Sequence, residues 1–291
     1  MFIAINGQLG SGKSELCKRL QSEYGFEIFH TGRIQREFAS ELGISTLELN
    51  ERCKLDHHYD RIIDARLVEY AESMRGKDVV FDSRMAWHFV RGAFKVHLLV
   101  APDIAADRVF FHRVAEEERY ASKEEAMQNL IERRRLENER YELLYNVKMS
   151  DYRNYDLVLD TSMLTVKEEL ELIVGAAEKY SSDHSYHGFY SSLSSLYPTE
   201  RLLKYPDGDI CAVKRGETLY AVSGYRKLLD SARHGARIVS VDYLGATGDK
   251  LEDGTPVDDI AATSRTLIAE FEESTGLRYG YIPNFLPAEL K

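Results

Sequence analysis

Residues Gly7-Gln8-Leu9-Gly10-Ser11-Gly12-Lys13-Ser14 meet the pattern G-x-x-x-x-G-K-[ST] at every fixed position. The flanks fit the same motif. Phe2-Ile3-Ala4-Ile5 is a short apolar run of strand type, and beyond Ser14 the residues Leu16, Cys17 and Leu20 share one helical face. Strand, glycine turn and helix make a phosphate cradle. The glycines let backbone N–H groups close on phosphate oxygens, and the helix N-terminus adds positive potential. Lys13 can reach the terminal phosphates, and the Ser14 hydroxyl can ligate Mg²⁺. Gly7, Gly10, Ser11, Gly12, Lys13 and Ser14 are therefore expected to bind a nucleoside triphosphate.

The chain of 291 residues is longer than most single cores, so about two domains are expected. The first 180 residues alternate strand and helix. Strand candidates are Phe2–Asn6, Glu27–Phe29, Asp78–Asp82, Lys95–Val100 and Asp156–Asp160. This alternation predicts an α/β fold, a P-loop NTPase with a five-stranded parallel sheet flanked by helices. A capping box at Thr165 and Glu168 opens the last helix of this half. Residues 181–197 are rich in Ser, Tyr and His with little periodicity and are read as a linker. Residues 198–291 form a second unit, with strands at Ile210–Lys214, Thr218–Val222 and Arg237–Tyr243 and helices at Tyr225–Arg233 and about Asp258–Thr275.

Charge and cysteine usage restrict the partners. A net charge of −10 argues against a nucleic-acid partner, since a phosphate backbone is gripped by basic surface. No run of residues approaches the ~18 apolar positions of a membrane span, so no membrane partner is expected. Cys17, Cys53 and Cys211 are distant from one another and suit neither a disulfide framework nor a zinc site. With the chain entering a strand at its start, no signal peptide is expected and a cytoplasmic home follows. The oligomeric state stays open.

A phosphate cradle does not say what receives the phosphate. Val79-Val80-Phe81-Asp82 is a buried strand ending in an acid, the place where P-loop proteins hold a carboxylate near magnesium. A helix-capping role for Asp82 is the other reading. Arg36 follows the second strand, Arg84 lies two residues beyond Asp82, and Arg108 and Arg113 follow the fourth strand. Arg133, Glu137 and Arg140 share a helical face by their i, i+4, i+7 spacing. Guanidinium groups converging from several elements suit phosphoryl transfer, which is mostly positioning and charge neutralisation. A solvated Arg–Glu face is the alternative for the triplet.

These pieces, taken in order, carry a resemblance. Gly7–Ser14, Thr31-Gly32-Arg33-Ile34-Gln35-Arg36 with Ala39, Asp82-Ser83-Arg84-Met85-Ala86, Arg108 with Arg113, Arg133–Tyr141 with Tyr145, and Tyr155–Thr161 together resemble the cytidylate kinase family, particularly its compact archaeal-type members. The resemblance covers residues 1–180. It implies a nucleoside monophosphate kinase fold, ATP and Mg²⁺ as cofactors, and a small-molecule phosphate acceptor. Thr31 lies on the acceptor side of the matching pattern, and Arg36, Arg84, Arg133 and Arg140 fall where the family grips the acceptor or the transferring phosphate. Glu137 falls beside the acceptor sugar or base, and Arg108 and Arg113 in the lid over ATP. Lys13, Asp82, Arg84 and Arg133 are the catalytic candidates, and Ser14 and Asp82 the metal candidates. Two features depart from bacterial members: Met85 replaces an Asp, and the acceptor-binding insertion is absent. The cluster Asp56-His57-His58-Tyr59-Asp60-Arg61 is open between a metal or substrate site and a polar helix face.

In the second unit, Val222–Leu228 followed by Gly235 and the strand Ile238–Val241 is similar to the ParB/sulfiredoxin-like nucleotide-binding fold. Arg226 and Lys227 begin a helix, where cations oppose the helix dipole and a bound anion relieves the conflict. Gly224, Arg226 and Lys227 are thus candidates for a second anion site, with two solvated side chains as the alternative. The functional expectation is an ATP-dependent small-molecule kinase acting on a nucleoside monophosphate such as CMP. A kinase for a free amino acid or other hydroxylated metabolite, and a nucleotide-gated regulatory module, are the alternatives.

Overall fold

The computed structural model describes residues 1–112, 120–260 and 263–281. In chain order the elements are β1 (Phe2–Gly7), α1 (Lys13–Tyr24), β2 (Glu27–His30), α2 (Thr31–Glu41), α3 (Thr46–Leu55), α4 (His58–Ser73), β3 (Val79–Asp82), α5 (Ala86–Phe89), β4 (Phe94–Leu99), α6 (Pro102–His112), α7 (Lys123–Tyr145), β5 (Leu157–Asp160) and α8 (Val166–Ser182). Then come β6 (Gly188–Ser192), β7 (Leu196–Pro198), α9 (Glu200–Lys204), β8 (Cys211–Arg215), β9 (Thr218–Ser223), α10 (Tyr225–Arg233), β10 (Ile238–Ser240), β11 (Asp242–Ala246) and α11 (Arg265–Thr275).

The main sheet runs β10-β6-β5-β4-β1-β3-β2. Its β1 is buried along its whole length. It pairs in parallel with β3 (Ile3 opposite Val80) and with β4 (Ile3 opposite Phe94). Such a central strand is covered on both faces, so its apolar residues run on without alternating. One face packs Ile3, Ile5, Val80 and Leu159 against Leu16 and Leu20 of α1 and Leu170 and Ile173 of α8. The capping box of α8 forms as its sequence predicts, with Thr165 and Glu168 bonding reciprocally.

The five parallel strands read from the sequence are present, but the sheet has seven. β6 pairs in parallel with β5 (Val158 opposite Phe189), and β10 closes the edge antiparallel to β6 (Ser240 opposite Tyr190). The expected linker 181–197 therefore holds the end of α8, the whole of β6 and the start of β7. Its serines concealed it. Ser191 and Ser192 are fully buried, and the amide of Ser192 donates to the Asp160 carboxylate at 3.1 Å.

A second correction follows from the segment 237–243. One strand was expected, and two are found in different sheets. The amide of Val241 donates to Phe189 O, and that of the next residue, Asp242, to Ile210 O, both at 2.9 Å. The chain thus steps from the main sheet to a four-stranded sheet, β11-β8-β9-β7, between consecutive residues. Both sheets share one core, in which Phe81, Tyr152 and Phe189 cluster with Leu196, Val213 and Leu228. Of the later segment, β10 thus joins the main sheet, and the described residues of both halves share the apolar core. The helix expected from about Asp258 begins at Arg265, behind a Ser264 cap. No described helix is long and apolar enough to cross a membrane.

Candidate active site

The phosphate loop lies at the carboxyl end of β1, the position where open α/β sheets bind ligands. Gly10 has φ +82°, and a Cβ there would sit 2.9 Å from Ala105, so both conformation and packing require glycine. Gly12 caps α1, whose first amides point along the helix axis toward the loop mouth. Lys13 and Asp82 form an ion pair across the mouth, and His30 Nδ1 lies 3.0 Å from the second Asp82 oxygen. Burial pushes the Asp82 carboxyl up, but Lys13 and His30 outweigh it and hold it below its usual range. Asp82 is therefore ionised at neutral pH. Ser14 projects from the first turn of α1 and is exposed.

Around this pair the arginines fall into three groups. Arg84 donates to the Gly7 carbonyl at 2.5 Å, and its other terminal nitrogen lies 3.3 Å from Glu137. Arg133 Nε lies 3.6 Å from the same Glu137. Arg84, Arg133 and Glu137 are thus brought together beside the loop. Arg140, one turn further along α7, instead grips Asp60 of α4 with contacts of 2.5 and 2.7 Å. On the other side, Arg108 donates to the Gly10 carbonyl at 3.2 Å and to the Thr161 carbonyl at 2.7 Å, tying α6 to the loop. Arg36 is exposed on α2 and makes no ion pair among the described residues. Thr31 starts α2, with its hydroxyl buried and unpartnered, and the Ser11 hydroxyl of the phosphate loop is in the same state. Arg113 lies outside the described residues.

His30, Asp64 and Glu169 were not singled out from the sequence, whereas Asp60 was, within the cluster Asp56–Arg61. His30 ends β2 and reaches Asp82. Asp60 and Asp64 lie one turn apart on α4 and meet Arg140 and Tyr145 respectively. Burial raises Asp64 to about 6, opposed by the Tyr145 hydrogen bond and reinforced by the Asp60 charge. The i, i+4 spacing of Asp60 and Asp64 was the one available signal, and it is common on solvated helices. Glu169 of α8 lies behind the loop, 2% exposed, with one oxygen unpartnered and 3.9 Å from where a Cβ on Gly12 would stand. Burial raises its carboxyl to about 7, with Arg108 opposing and Glu168 adding to the shift.

Two sequence candidates look different in three dimensions. Arg226 and Lys227 pair with Asp207 at 2.7 Å and Asp209 at 2.6 Å, so the positive charge of that turn is already matched. Gly224 has φ +80°, and a Cβ on it would come within 2.5 Å of the Asp209 carbonyl. A close approach of two backbones accounts for that glycine without a ligand. His57 lies 3.8 Å from Asp60, and the His58 amide donates to Asp56 at 2.8 Å. Among the described residues, no three His, Cys, Asp or Glu side chains gather to hold a metal by themselves.

The model of the cytidylate kinase-like family matches residues 2–163, more than half the chain. The cytidylate kinase of Pyrococcus abyssi is 34% identical over 186 residues, covering 64% of this chain and 96% of that protein. The cytidylate kinase of Pyrococcus furiosus is 35% identical over 162 residues, covering 56% and 80% respectively. An S-adenosylmethionine-dependent nucleotide dehydratase of Lacinutrix mariniflava is 32% identical over 178 residues; the match spans 61% of this chain but only 36% of that protein.

Proposed function

The chain belongs to the cytidylate kinase-like family, and from that premise we propose that it transfers the γ-phosphoryl group of ATP to a nucleoside monophosphate, CMP first. It is an ATP-dependent phosphotransferase; the acceptor is our inference. The observation that carries it is the group Arg84–Glu137–Arg133 beside the Lys13–Asp82 pair. A phosphate oxygen of the acceptor attacks the γ-phosphorus, the bond to the β–γ bridging oxygen breaks, and ADP leaves. The negative charge on both sides of the transferring group must be held, and Lys13, Arg84 and Arg133 are positioned to hold it. Arg108 anchors the loop carbonyl of Gly10 from the lid side, keeping the loop amides aimed at phosphate.

Mg²⁺ fits the donor set. This ion typically keeps several waters and takes one or two protein oxygens plus substrate phosphates. Ser14 Oγ and Asp82 would supply those oxygens, and the ion would neutralise charge on the β- and γ-phosphates. Lys13 then exchanges Asp82 for phosphate.

One observation supports a second reading, an uncharged hydroxylated acceptor. Arg140, assigned to the acceptor phosphate, is already matched by Asp60, and Arg84 by Glu137. A phosphorylated acceptor has to displace carboxylates there; a neutral one does not. Incubating the protein and ATP–Mg²⁺ with each nucleoside monophosphate and with hydroxylated metabolites, followed by mass spectrometry, separates the two. CDP formed from CMP is expected. Transfer only to an unphosphorylated acceptor overturns the nucleotide assignment.

A further inference from the structure

A cavity of about 700 Å³ opens where the four-stranded sheet meets the main sheet, α6 and α7. Its volume lies in the range of small-molecule sites. The walls are mostly apolar, with Leu99, Ile104, Ile131, Leu193 and Leu219 among them. The second half of the chain builds one side, so about half of the lining lies outside the family match of residues 2–163. Neither Lys13 nor Asp82 lines it, although Gln8 of the phosphate loop does.

One end of the cavity is polar. Arg134, Glu217, Tyr152 and Gln8 line both this cavity and a small pocket of about 30 Å³ that reaches Arg84 and Glu137. The side chain of Arg134 is 11% exposed, and its Nε is buried without a partner. Its nearest carboxylate, Glu217, is 3.7 Å away and is shared with Lys214 at 3.4 Å. Arg134 and Lys214 thus share the half-exposed Glu217 carboxylate, and Asp151 adds a second negative charge near Lys214. Burial, helped by the Arg134 charge, holds the Lys214 ammonium below its usual range against Glu217 and Asp151. Asp160, which also lines the cavity, accepts from Ser162 and from the Ser192 amide. The Ser195 hydroxyl on the cavity wall is a further buried group without a partner.

We propose that this cavity binds a small amphipathic anion, with its aromatic or alicyclic body against the Ile131–Leu219 walls and its single carboxylate, sulfonate or phosphate on Arg134. The apolar volume takes the body, and the buried, unpartnered Arg134 Nε takes the anionic end. A charge-assisted contact to a guanidinium is the stronger kind of hydrogen bond. The inference does not depend on the identity of the phosphoryl acceptor.

The test uses 8-anilinonaphthalene-1-sulfonate, an aromatic body with one sulfonate, titrated into the full chain by calorimetry. One-to-one binding with micromolar Kd is expected. Arg134→Met should weaken it about tenfold or more, and Ile131→Trp, which fills the cavity, should abolish it. Circular dichroism, melting temperature and ATP affinity guard against a loosened fold, and an Arg134→Lys variant should recover part of the binding. Binding that is equal in wild type, Arg134→Met and Ile131→Trp overturns the proposal, as does absence of binding at millimolar probe.

Discussion

The guanidinium of Arg84 donates to the carbonyl oxygen of Gly7 at 2.5 Å, so the loop after β3 is locked to the first residue of the phosphate loop. The same side chain faces Glu137 of α7. One residue thereby joins the phosphate loop to α7. Arg84→Ala is expected to lower kcat by about 10²–10³ through lost transition-state charge stabilisation, and to lower ATP affinity by relaxing the loop. Steady-state kinetics with separate ATP titrations reads both. A loss of melting temperature with normal kcat would make Arg84 purely structural.

Lys13→Ala should remove transfer by a factor of about 10²–10³ while leaving the circular dichroism spectrum intact. Lys13 is a partly exposed charge at the loop mouth rather than a core residue. Full turnover in a well-folded variant contradicts the assignment of the phosphate cradle.

Arg140 and Asp60 form a partly buried pair linking α7 to α4. If Arg140 also serves the acceptor, Arg140→Ala should raise acceptor KM more than ATP KM. Asp60→Asn should then lower acceptor KM, by leaving the guanidinium available. A double-mutant cycle on acceptor KM and on stability separates the roles. Equal stability losses with unchanged KM in both variants assign the pair to packing alone.

Removing residues 181–291 is expected to destabilise what remains. The deletion strips β6 and β10 from the β5 edge, leaves Asp160 without the Ser192 amide, and uncovers the shared apolar core. An unpaired buried edge is also a template for aggregation. Denaturant titration of the truncated chain, with light scattering, checks this. A soluble monomer of wild-type stability would show that the first half folds alone.

Glu169 gives a pH dependence to stability. Its carboxyl is raised from 4.5 to about 7 in the folded protein, so the native state holds a proton that the unfolded chain releases. Its contribution is fully present below pH 4.5 and is lost as pH rises toward about 7, by ~3 kcal/mol at most. Glu169→Gln should flatten the stability profile over that window and be more stable than wild type at pH 8. Chemical denaturation at pH 5, 6, 7 and 8 provides the measurement, and parallel profiles for the two proteins would exclude Glu169 as the source.

The candidate site was legible where its residues are contiguous. Gly7–Ser14 carry their geometry in the chain itself, and Asp82 and Arg84 follow an apolar strand whose end could be read from the same few residues. The pairing of each arginine was not legible. Arg140 meets a carboxylate 80 positions away, and nothing in the i, i+4 pattern of α7 distinguishes that contact from a solvated face. The pairing of Arg226 with Asp207 and of Lys227 with Asp209 was likewise not legible, since the acids reach them only through the fold of the preceding loop.

By itself, the sequence determined the phosphate loop, the five parallel strands, the capped start of α8 and the helix Tyr225–Arg233, because each depends on residues within one or two turns of one another. Tertiary structure alone decided that Gly188–Ser192 is a sheet strand, that the chain changes sheets between Val241 and Asp242, and that the two halves enclose a common cavity. Those outcomes rest on strand pairing and burial. A buried serine whose backbone is paired reads in sequence like one exposed in a loop, and only the partner strand tells them apart.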